Sequence, residues 1–293
     1  DSFSGDGIGA DLDAAVRRTA AAVEQGADIL DLGAESARAD VPVRDADEEA
    51  QLLGDAIRCI AEETDAVISA DTYKPQVAEA ALQAGAHIIN DIGGFKYGTG
   101  TAEAAARHGA ALVLNYTYER PKVRPAEPPR YGDLIGEHLA FLRERAAMAI
   151  EAGVSPRSLI ADPGIAFGKS HDEDMEVLRR LGEFRPLALP LLVAASRKHF
   201  IGSVTGLPPD ERDEATAAVT ALNIVYGTDI VRVHDVRTTV RAVRIADAIV
   251  RGRAGDYAPT PESWPWASGA APIAGTTIAG AGSLRRRGDA EGA

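Results

Sequence analysis

Carboxylate, amide and cationic side chains stand at the ends of short apolar runs throughout this chain of 293 residues. Seven runs rich in Val, Ile, Leu and Ala end in this way, at 29–36, 67–72, 88–94, 112–118, 159–169, 191–198 and 230–236. Carboxylate and amide endings suit a ring that carries several N–H donors, and cationic endings suit a phosphate group. The two kinds of ending together predict a site for a heterocycle and an anion.

The polar endings divide into two chemical sets. The acceptor-rich residues are Asp71, Asn90 and Asp162, and the cationic or donor residues are Lys198, Arg232 and His234, with Arg38 added from a loop. Single members have structural alternatives, because an Asp at a strand end can cap a helix and Asn90 with Asp91 can satisfy a turn. The stretch 162–170 (DPGIAFGKS) is larger than a turn requires, and this favours a functional role for the loop.

The elements that must position these residues alternate in type along the chain. Amphipathic helical patterns cover 11–25, 46–63, 75–84, 133–152, 211–226 and 237–251. Alternating strands and helices imply parallel strands with helical crossovers. About 250 residues arranged in this way favour a (β/α)₈ TIM barrel, in which the strand ends share one rim. A Rossmann sheet is the alternative, but no G-x-G-x-x-G follows an early strand.

Composition limits the class of protein. The chain has 31 Lys+Arg against 44 Asp+Glu, a net charge of -13, which argues against nucleic-acid and anionic-membrane binding. The single cysteine, Cys59, cannot form an intrachain disulfide, so we expect a cytoplasmic protein. No Cys/His metal spacing is present, and no stretch is apolar enough for a membrane span.

Two segments fall outside this alternation. Residues 119–132 are rich in Pro and Arg and form either a loop over the site or a solvated linker. Residues 256–293 are rich in Gly, Ala, Pro and Ser, and we expect an irregular or disordered tail there. The sequence therefore predicts a barrel domain over 1–255 followed by that tail.

The motifs, taken in order, resemble dihydropteroate synthase. The segments that carry the resemblance are DSFS (1–4), DILDLGAESAR (28–38), SADTY (69–73), IIND (88–91), DPGIAFGK (162–169), SRK (196–198) and RVHD (232–235). The resemblance extends over about residues 1–251. It implies a pterin-binding TIM barrel that joins 6-hydroxymethyl-7,8-dihydropterin diphosphate to 4-aminobenzoate or a related arylamine. It also implies Mg²⁺ as cofactor and a homodimer.

The resemblance also implies roles for individual residues. It assigns catalysis to Asp71, Lys198, Arg232 and His234. The residues expected to bind the pterin are Asp71, Asn90, Asp162, Lys198 and Arg232, and those expected to bind the diphosphate are Arg38, Arg232 and His234. The residues expected to bind the aminobenzoate are Phe3, Phe167, Ser196 and Lys198. It implies a metal-binding Asn on a first strand, which we expect upstream of Asp1. No metal ligand is identified within the chain itself.

Three departures from the family pattern leave alternatives open. The first strand does not precede Asp1, the usual Ser-Thr-Arg-Pro loop has Ala37 and Ala39, and Asn115-Tyr116 replaces Met-His. A changed loop beside an intact pterin pocket is compatible with a paralogue that uses a different amine. A chain without the Asn-bearing strand is compatible with a non-catalytic pterin-binding protein.

Overall fold

Parallel strands and helices alternate through the described part of the chain, which in this computed structural model is residues 11–36, 41–123, 127 and 129–252. The strands are β1 (Ile29–Leu32), β2 (Val67–Asp71), β3 (Ile88–Asp91), β4 (Ala111–Asn115), β5 (Leu159–Asp162), β6 (Leu192–Val193) and β7 (Ile230–Val231). All seven predicted runs therefore contain a strand. Phe3, Arg38, the position upstream of Asp1 and the predicted tail at 256–293 lie outside the described residues.

The strands follow one another in space as they do in sequence. Strands β1 to β5 form one parallel sheet in the order 1-2-3-4-5, and β6 pairs in parallel with β7. A bridge between Ala161 and Leu191 joins the two sheets. Sequential parallel order is the arrangement expected of a (β/α) barrel rather than of a doubly wound sheet, in which the strand order reverses.

Helices fill the connections between the strands. They are α1 (Leu12–Glu24), α2 (Ala46–Glu63), α3 (Pro75–Gln83), α4 (Gly100–His108), α5 (Leu134–Glu151), α6 (His171–Arg179), α7 (His199–Thr205), α8 (Asp213–Val225) and α9 (Val236–Val250). Aspartate side chains accept hydrogen bonds from first-turn amides at Asp11, Asp45, Asp133 and Asp235. Such caps satisfy amides that have no partner inside the helix. No helix in the described ranges is long and apolar enough to cross a membrane.

The two faces of the strands pack differently, and this difference positions the site. A small buried cluster on one face contains Ile88, Val113, Ile160 and Leu192, one from each of β3 to β6. The residues that follow them in β3 to β5 belong to the larger core, which lies between the strands and the helices and contains helix side chains such as Ile57 and Leu142. Because side chains in a strand alternate with a period of two, Asn90 and Asp162 stand on the same face as the small cluster. The strand-end polar groups therefore lie on the inner face of the barrel.

Candidate active site

Arg232, just after β7, binds two carboxylates from the opposite end of the strand order. Its Nε lies 2.5 Å from Asp31 Oδ2, and its Nη2 lies 2.9 Å from Asp71 Oδ2. Asn90 Nδ2 donates to the same Asp31 oxygen at 3.3 Å. The residues that carry these contacts come from β1, β2, β3 and the end of β7, as expected if the strand ends share one rim.

Burial changes the protonation behaviour of Asp71. It raises the pKa of Asp71 above its usual range, while the guanidinium of Arg232 opposes the rise and Asp31 adds to it. The nearby Asp31 and Asp71 in turn raise the pKa of Arg232, although desolvation opposes this, so the guanidinium remains charged. The cation therefore offsets part of the cost of burying the Asp71 carboxylate, although the net effect of the surroundings is still to raise the pKa of that group.

Lys198 and Phe167 form a second part of the site. Lys198 Nζ lies 2.5 Å from the carbonyl oxygen of Ile165 and 5.2 Å from the centroid of the Phe167 ring. Burial lowers the pKa of Lys198 to about 8, and the carboxylate of Asp162 opposes that shift. An ammonium group above an aromatic ring, close to a strand-end carboxylate, suits a planar and partly polar ligand.

Ser196 and His234 lie against each other between these two parts. Ser196 Oγ is 2.8 Å from His234 Nδ1 and accepts a hydrogen bond from the backbone amide of His234 at 3.2 Å. The pair connects the residues that follow β6 and β7. Residues predicted for the aminobenzoate and for the diphosphate therefore contact each other directly.

The structure brings most of the predicted site residues together. Six of them lie at the ends of β2, β3, β5, β6 and β7: Asp71, Asn90, Asp162, Ser196, Arg232 and His234. Lys198 and Phe167 lie on the loops that follow β6 and β5. Phe3 and Arg38 are outside the described residues, and their assignments stay predictions.

Asp31 is a site residue that the sequence reasoning missed. It stands between Leu30 and Leu32 in β1, and it accepts hydrogen bonds from both Arg232 and Asn90. A charged residue at an inner position of an otherwise aliphatic strand was the signal that could have found it. Its other oxygen, Oδ1, is buried and has no hydrogen-bond partner among the described residues.

Asp91 satisfies a turn, which was the structural alternative for this position in the sequence. Its carboxylate accepts hydrogen bonds from the Gly93 amide at 2.7 Å and the Thr101 hydroxyl at 2.6 Å. It therefore satisfies the turn that follows β3, while its neighbour Asn90 faces the site. Alternation along one strand separates the two roles.

A buried ion-pair network lies beside the site. Lys74 Nζ donates to Glu35 at 2.8 Å, to Glu49 at 2.6 Å and to the carbonyl of Arg44 at 2.7 Å. Glu35 also accepts from the backbone amide of Arg44 at 2.7 Å and from the Tyr73 hydroxyl at 2.8 Å. The network thereby fixes Glu35, just after β1, against Arg44, just before α2.

Lys122, within the Pro- and Arg-rich segment 119–132, contacts the same region. Its nearly buried Nζ donates to the carbonyl of Val41 at 2.9 Å and lies 3.9 Å from Glu35. This part of the segment is therefore packed against another loop and does not form a solvated linker.

The chain is similar over most of its length to proteins of one family. The family model described as pterin binding enzyme matches residues 1–234. The dihydropteroate synthase of Bacillus subtilis is 41% identical, with 85% of each chain covered. That of Escherichia coli is 36% identical, covering 86% of this chain and 89% of the relative.

Solved structures agree in fold. The dihydropteroate synthase of Yersinia pestis, in a sulfonamide drug complex, superposes with a TM-score of 0.81 at 33% identity, covering 86% of this chain and 91% of the other. The enzyme of Thermus thermophilus, in complex with 4-aminobenzoate, has a TM-score of 0.74 at 38% identity and covers 81% and 90%.

The rim of polar strand ends and the family match define a pterin-binding enzyme with a TIM-barrel fold, and the chain belongs to that family. Its relatives are dihydropteroate synthases, and the chain is accordingly a transferase of folate biosynthesis that moves a pterinylmethyl group. The expectations for fold and activity drawn from the sequence are confirmed.

Proposed function

We propose that this enzyme joins 6-hydroxymethyl-7,8-dihydropterin diphosphate to 4-aminobenzoate and releases 7,8-dihydropteroate and diphosphate. The observation that carries the proposal is Arg232 bridging Asp31 and Asp71, beside the Lys198–Phe167 pair. The Arg232 bridge is suited to a charged subsite for the pterin diphosphate, and the Lys198–Phe167 pair is suited to an aromatic subsite for an arylamine. A related solved enzyme contains 4-aminobenzoate, which supports this substrate class.

The chemistry needs no protein nucleophile. The amine nitrogen attacks the pterin methylene carbon, the C–O bond breaks, and the diphosphate leaves with the electron pair. The amine then gives up a proton. Negative charge grows on the diphosphate and positive charge on the pterin, so electrostatic stabilisation and positioning supply the catalysis.

Arg232 can serve both sides of that charge separation. A guanidinium has five N–H donors, and here one on Nε and one on Nη2 bind Asp31 and Asp71. The remaining donors can bind diphosphate oxygens together with His234 and Arg38. In its carboxylate form, Asp71 would stabilise the cationic pterin, while Asn90, Asp162 and Lys198 would bind the edge of the ring.

Mg²⁺ fits this site as an ion that accompanies the diphosphate. In the described ranges there is no cluster of three His, Cys, Asp or Glu side chains suited to a metal. Mg²⁺ does not need such a cage, because it usually binds one or two carboxylates together with substrate phosphates. The unpartnered Oδ1 of Asp31 would help to hold the ion, together with the Asn that the family resemblance implies upstream of Asp1. When bound, the ion would neutralise charge on the leaving diphosphate.

The decisive experiment incubates the full chain with the pterin diphosphate, Mg²⁺ and a panel of arylamines, and measures coupled product by mass spectrometry. We expect 7,8-dihydropteroate, formed fastest with 4-aminobenzoate and suppressed by EDTA. Faster turnover of another arylamine would identify a paralogue with a different acceptor. Pterin binding without any coupled product would contradict the proposal in favour of a non-catalytic binding protein.

We also propose that the enzyme acts in the cytoplasm as a homodimer, with α8 and α9 at the interface. Leu222 and Val225 of α8 are exposed, as are Ile245 and Ile249 of α9, with Ile249 77% exposed. The two helices pack against each other. Adjacent helices with several exposed aliphatic side chains are typical of an interaction surface.

The double variant Ile245→Glu, Ile249→Glu is expected to be monomeric, because it would bury charge at that interface. Sedimentation equilibrium measures the mass. The matched control is Ile150→Glu on α5, which changes an aliphatic residue that is 46% exposed and is expected to leave the dimer intact. A monomeric unmodified protein, or a double variant that stays dimeric, would contradict this interface.

A further inference from the structure

The loop after β5 is held from inside by a lysine that does not face the predicted ligands. Lys169 Nζ donates to the carbonyl of Gly164 at 2.6 Å and to that of Pro163 at 3.3 Å. These bonds run from the end of the loop back to its beginning, so they close residues 163–169 into a compact unit. Lys169 is half-buried, and desolvation lowers its pKa to about 8.

His138, near the N-terminal end of α5, accepts a hydrogen bond from the same ammonium group. Its Nδ1 lies 2.6 Å from the carbonyl of Leu134, and because a carbonyl only accepts, Nδ1 carries the hydrogen. Nε2 is therefore the acceptor, 3.3 Å from Lys169 Nζ. Burial lowers the pKa of His138 to about 3, which keeps the imidazole neutral and able to accept.

Tyr116, one of the departures from the family pattern, completes this support. Its ring stacks on the His138 ring with centroids 3.5 Å apart, and Lys169 Nζ lies 4.7 Å from its centroid. Its hydroxyl donates to Tyr131, whose own hydroxyl donates to the carbonyl of Gly168 at 2.6 Å. Tyr131 thus holds the Gly168 end of the loop from outside, while Lys169, which belongs to the loop, holds its Pro163–Gly164 end.

The backbone of the loop leaves little room for any other conformation. A Cβ on Gly164 would lie 1.9 Å from the carbonyl oxygen of Tyr116, and a Cβ on Gly168 would lie 2.3 Å from Tyr118 Cβ. Between them, Ala166 has a φ of 68° and its amide donates to Asp174 Oδ1 at 2.8 Å. A non-glycine residue in the left-handed region requires surroundings that enforce it.

This loop presents two groups to the site. The Ile165 carbonyl binds Lys198 Nζ, and the Phe167 ring lies beneath the same ammonium. Ile165 and Phe167 both lie between Gly164, which Lys169 binds, and Gly168, which Tyr131 binds. A shift of the loop would therefore move Phe167 and Lys198 together. Asp71 and Arg232, on the pterin side, are hydrogen-bonded to each other, and their described hydrogen bonds do not involve Phe167 or Lys198.

We propose that Lys169, supported by His138 and Tyr116 and assisted by Tyr131, is a positioning residue that sets the arylamine subsite through the loop 163–169. The proposal rests on the proposed function, in which Phe167 and Lys198 contact 4-aminobenzoate. Lys169 acts through these residues and does not contact the substrate itself.

Kinetics of Lys169→Met tests the assignment. We expect KM for 4-aminobenzoate to rise about tenfold or more, since displacements near 1 Å are costly. KM for the pterin diphosphate is expected to rise by a smaller factor, because Lys198 also serves the pterin but the contacts of Asn90 and Arg232 with Asp31 do not involve the loop. In a Phe167→Ala background, the effect of Lys169→Met on the aminobenzoate KM is expected to be much smaller. The matched control is Lys122→Met, which removes another buried lysine bound to carbonyls and is expected to leave the aminobenzoate KM unchanged.

A milder variant and a readout other than activity keep the test decisive. Tyr131→Phe removes one hydroxyl from the support and is expected to raise the aminobenzoate KM about threefold. In protein labelled with fluorophenylalanine, the ¹⁹F signal of Phe167, assigned with Phe167→Leu, is expected to shift or broaden in Lys169→Met.

The outcomes separate the two proposals. Equal increases in both KM values, or an unchanged Phe167 signal, would overturn the positioning role. If the unmodified enzyme makes no dihydropteroate, the proposed function fails, and the ¹⁹F signal still decides whether Lys169 holds the loop.

Discussion

Replacing Arg232 by lysine is expected to lower kcat/KM for the pterin diphosphate by about 10²–10³-fold. Arg232 bridges Asp31 and Asp71 and keeps further N–H donors for a diphosphate. A lysine preserves the charge, but its single ammonium cannot span two carboxylates and an oxyanion in one plane. Most of the loss is expected in kcat, because charge on the diphosphate is greatest in the transition state.

Steady-state kinetics with both substrates varied measures this effect. The matched control is Arg180→Lys, which changes an arginine that pairs with Glu176 and Glu183 at the C-terminal end of α6. We expect the control to keep its activity and both variants to keep their circular dichroism spectra. A folded Arg232→Lys enzyme with more than a third of the original kcat/KM would refute the role given to Arg232.

The strand ends were predictable because a strand has a simple period. Alternation along IIND and LIAD places Asn90 and Asp162 on the inner face, and parallel strands bring their ends to one rim. The types of these residues then indicated a heterocycle and an anion. Local rules were sufficient here, because each strand places its own residues and the fold places the strands.

Contacts between distant side chains could not be predicted in this way. Asp31 looked like part of an apolar run, and only the position of Arg232, 201 residues later, reveals its partner. The contact of Lys169 with His138 joins a loop to the N-terminal part of a helix, across 31 residues of sequence. Neither residue has a periodic pattern that identifies its partner, so the packing of whole elements determines both contacts.

Strand β6 is shorter than its apolar run. The run 191–198 forms a strand only at Leu192–Val193, and further along it Arg197 adopts a φ of 57° and binds Asp213 through Nε at 2.6 Å. The turn that results carries Lys198 toward Ile165. Aliphatic composition predicted the strand, but the turn after it and the ion pair of Arg197 with Asp213 depend on the position of α8, which the run itself does not encode.

The substitution Lys74→Met is expected to lower the free energy of unfolding by about 3–5 kcal/mol. It would leave Glu49 buried without its cation and Glu35 with only Lys122, 3.9 Å away, since the side chains of Glu35 and Glu49 are 6% and 2% exposed. It would also remove the donor to the Arg44 carbonyl. Urea unfolding at pH 7 measures the loss. The surface variant Arg58→Met, which breaks a pair 59% and 43% exposed, is expected to change stability by less than about 0.5 kcal/mol.

Two further measurements distinguish the lost cation from lost packing. Adding Glu49→Gln to Lys74→Met is expected to restore part of the stability, because it removes a buried charge that has lost its partner. The pH dependence is the second measurement. Burial already raises the pKa of Glu49, while Lys74 opposes that rise. Without Lys74 the pKa of Glu49 in the folded protein rises further, and a carboxylate with a raised pKa destabilises the fold less as the pH falls. The difference between the Lys74→Met variant and the unmodified protein is therefore expected to narrow from pH 8 to pH 5. A constant difference across that range would show that packing, and not charge, is what Lys74 contributes.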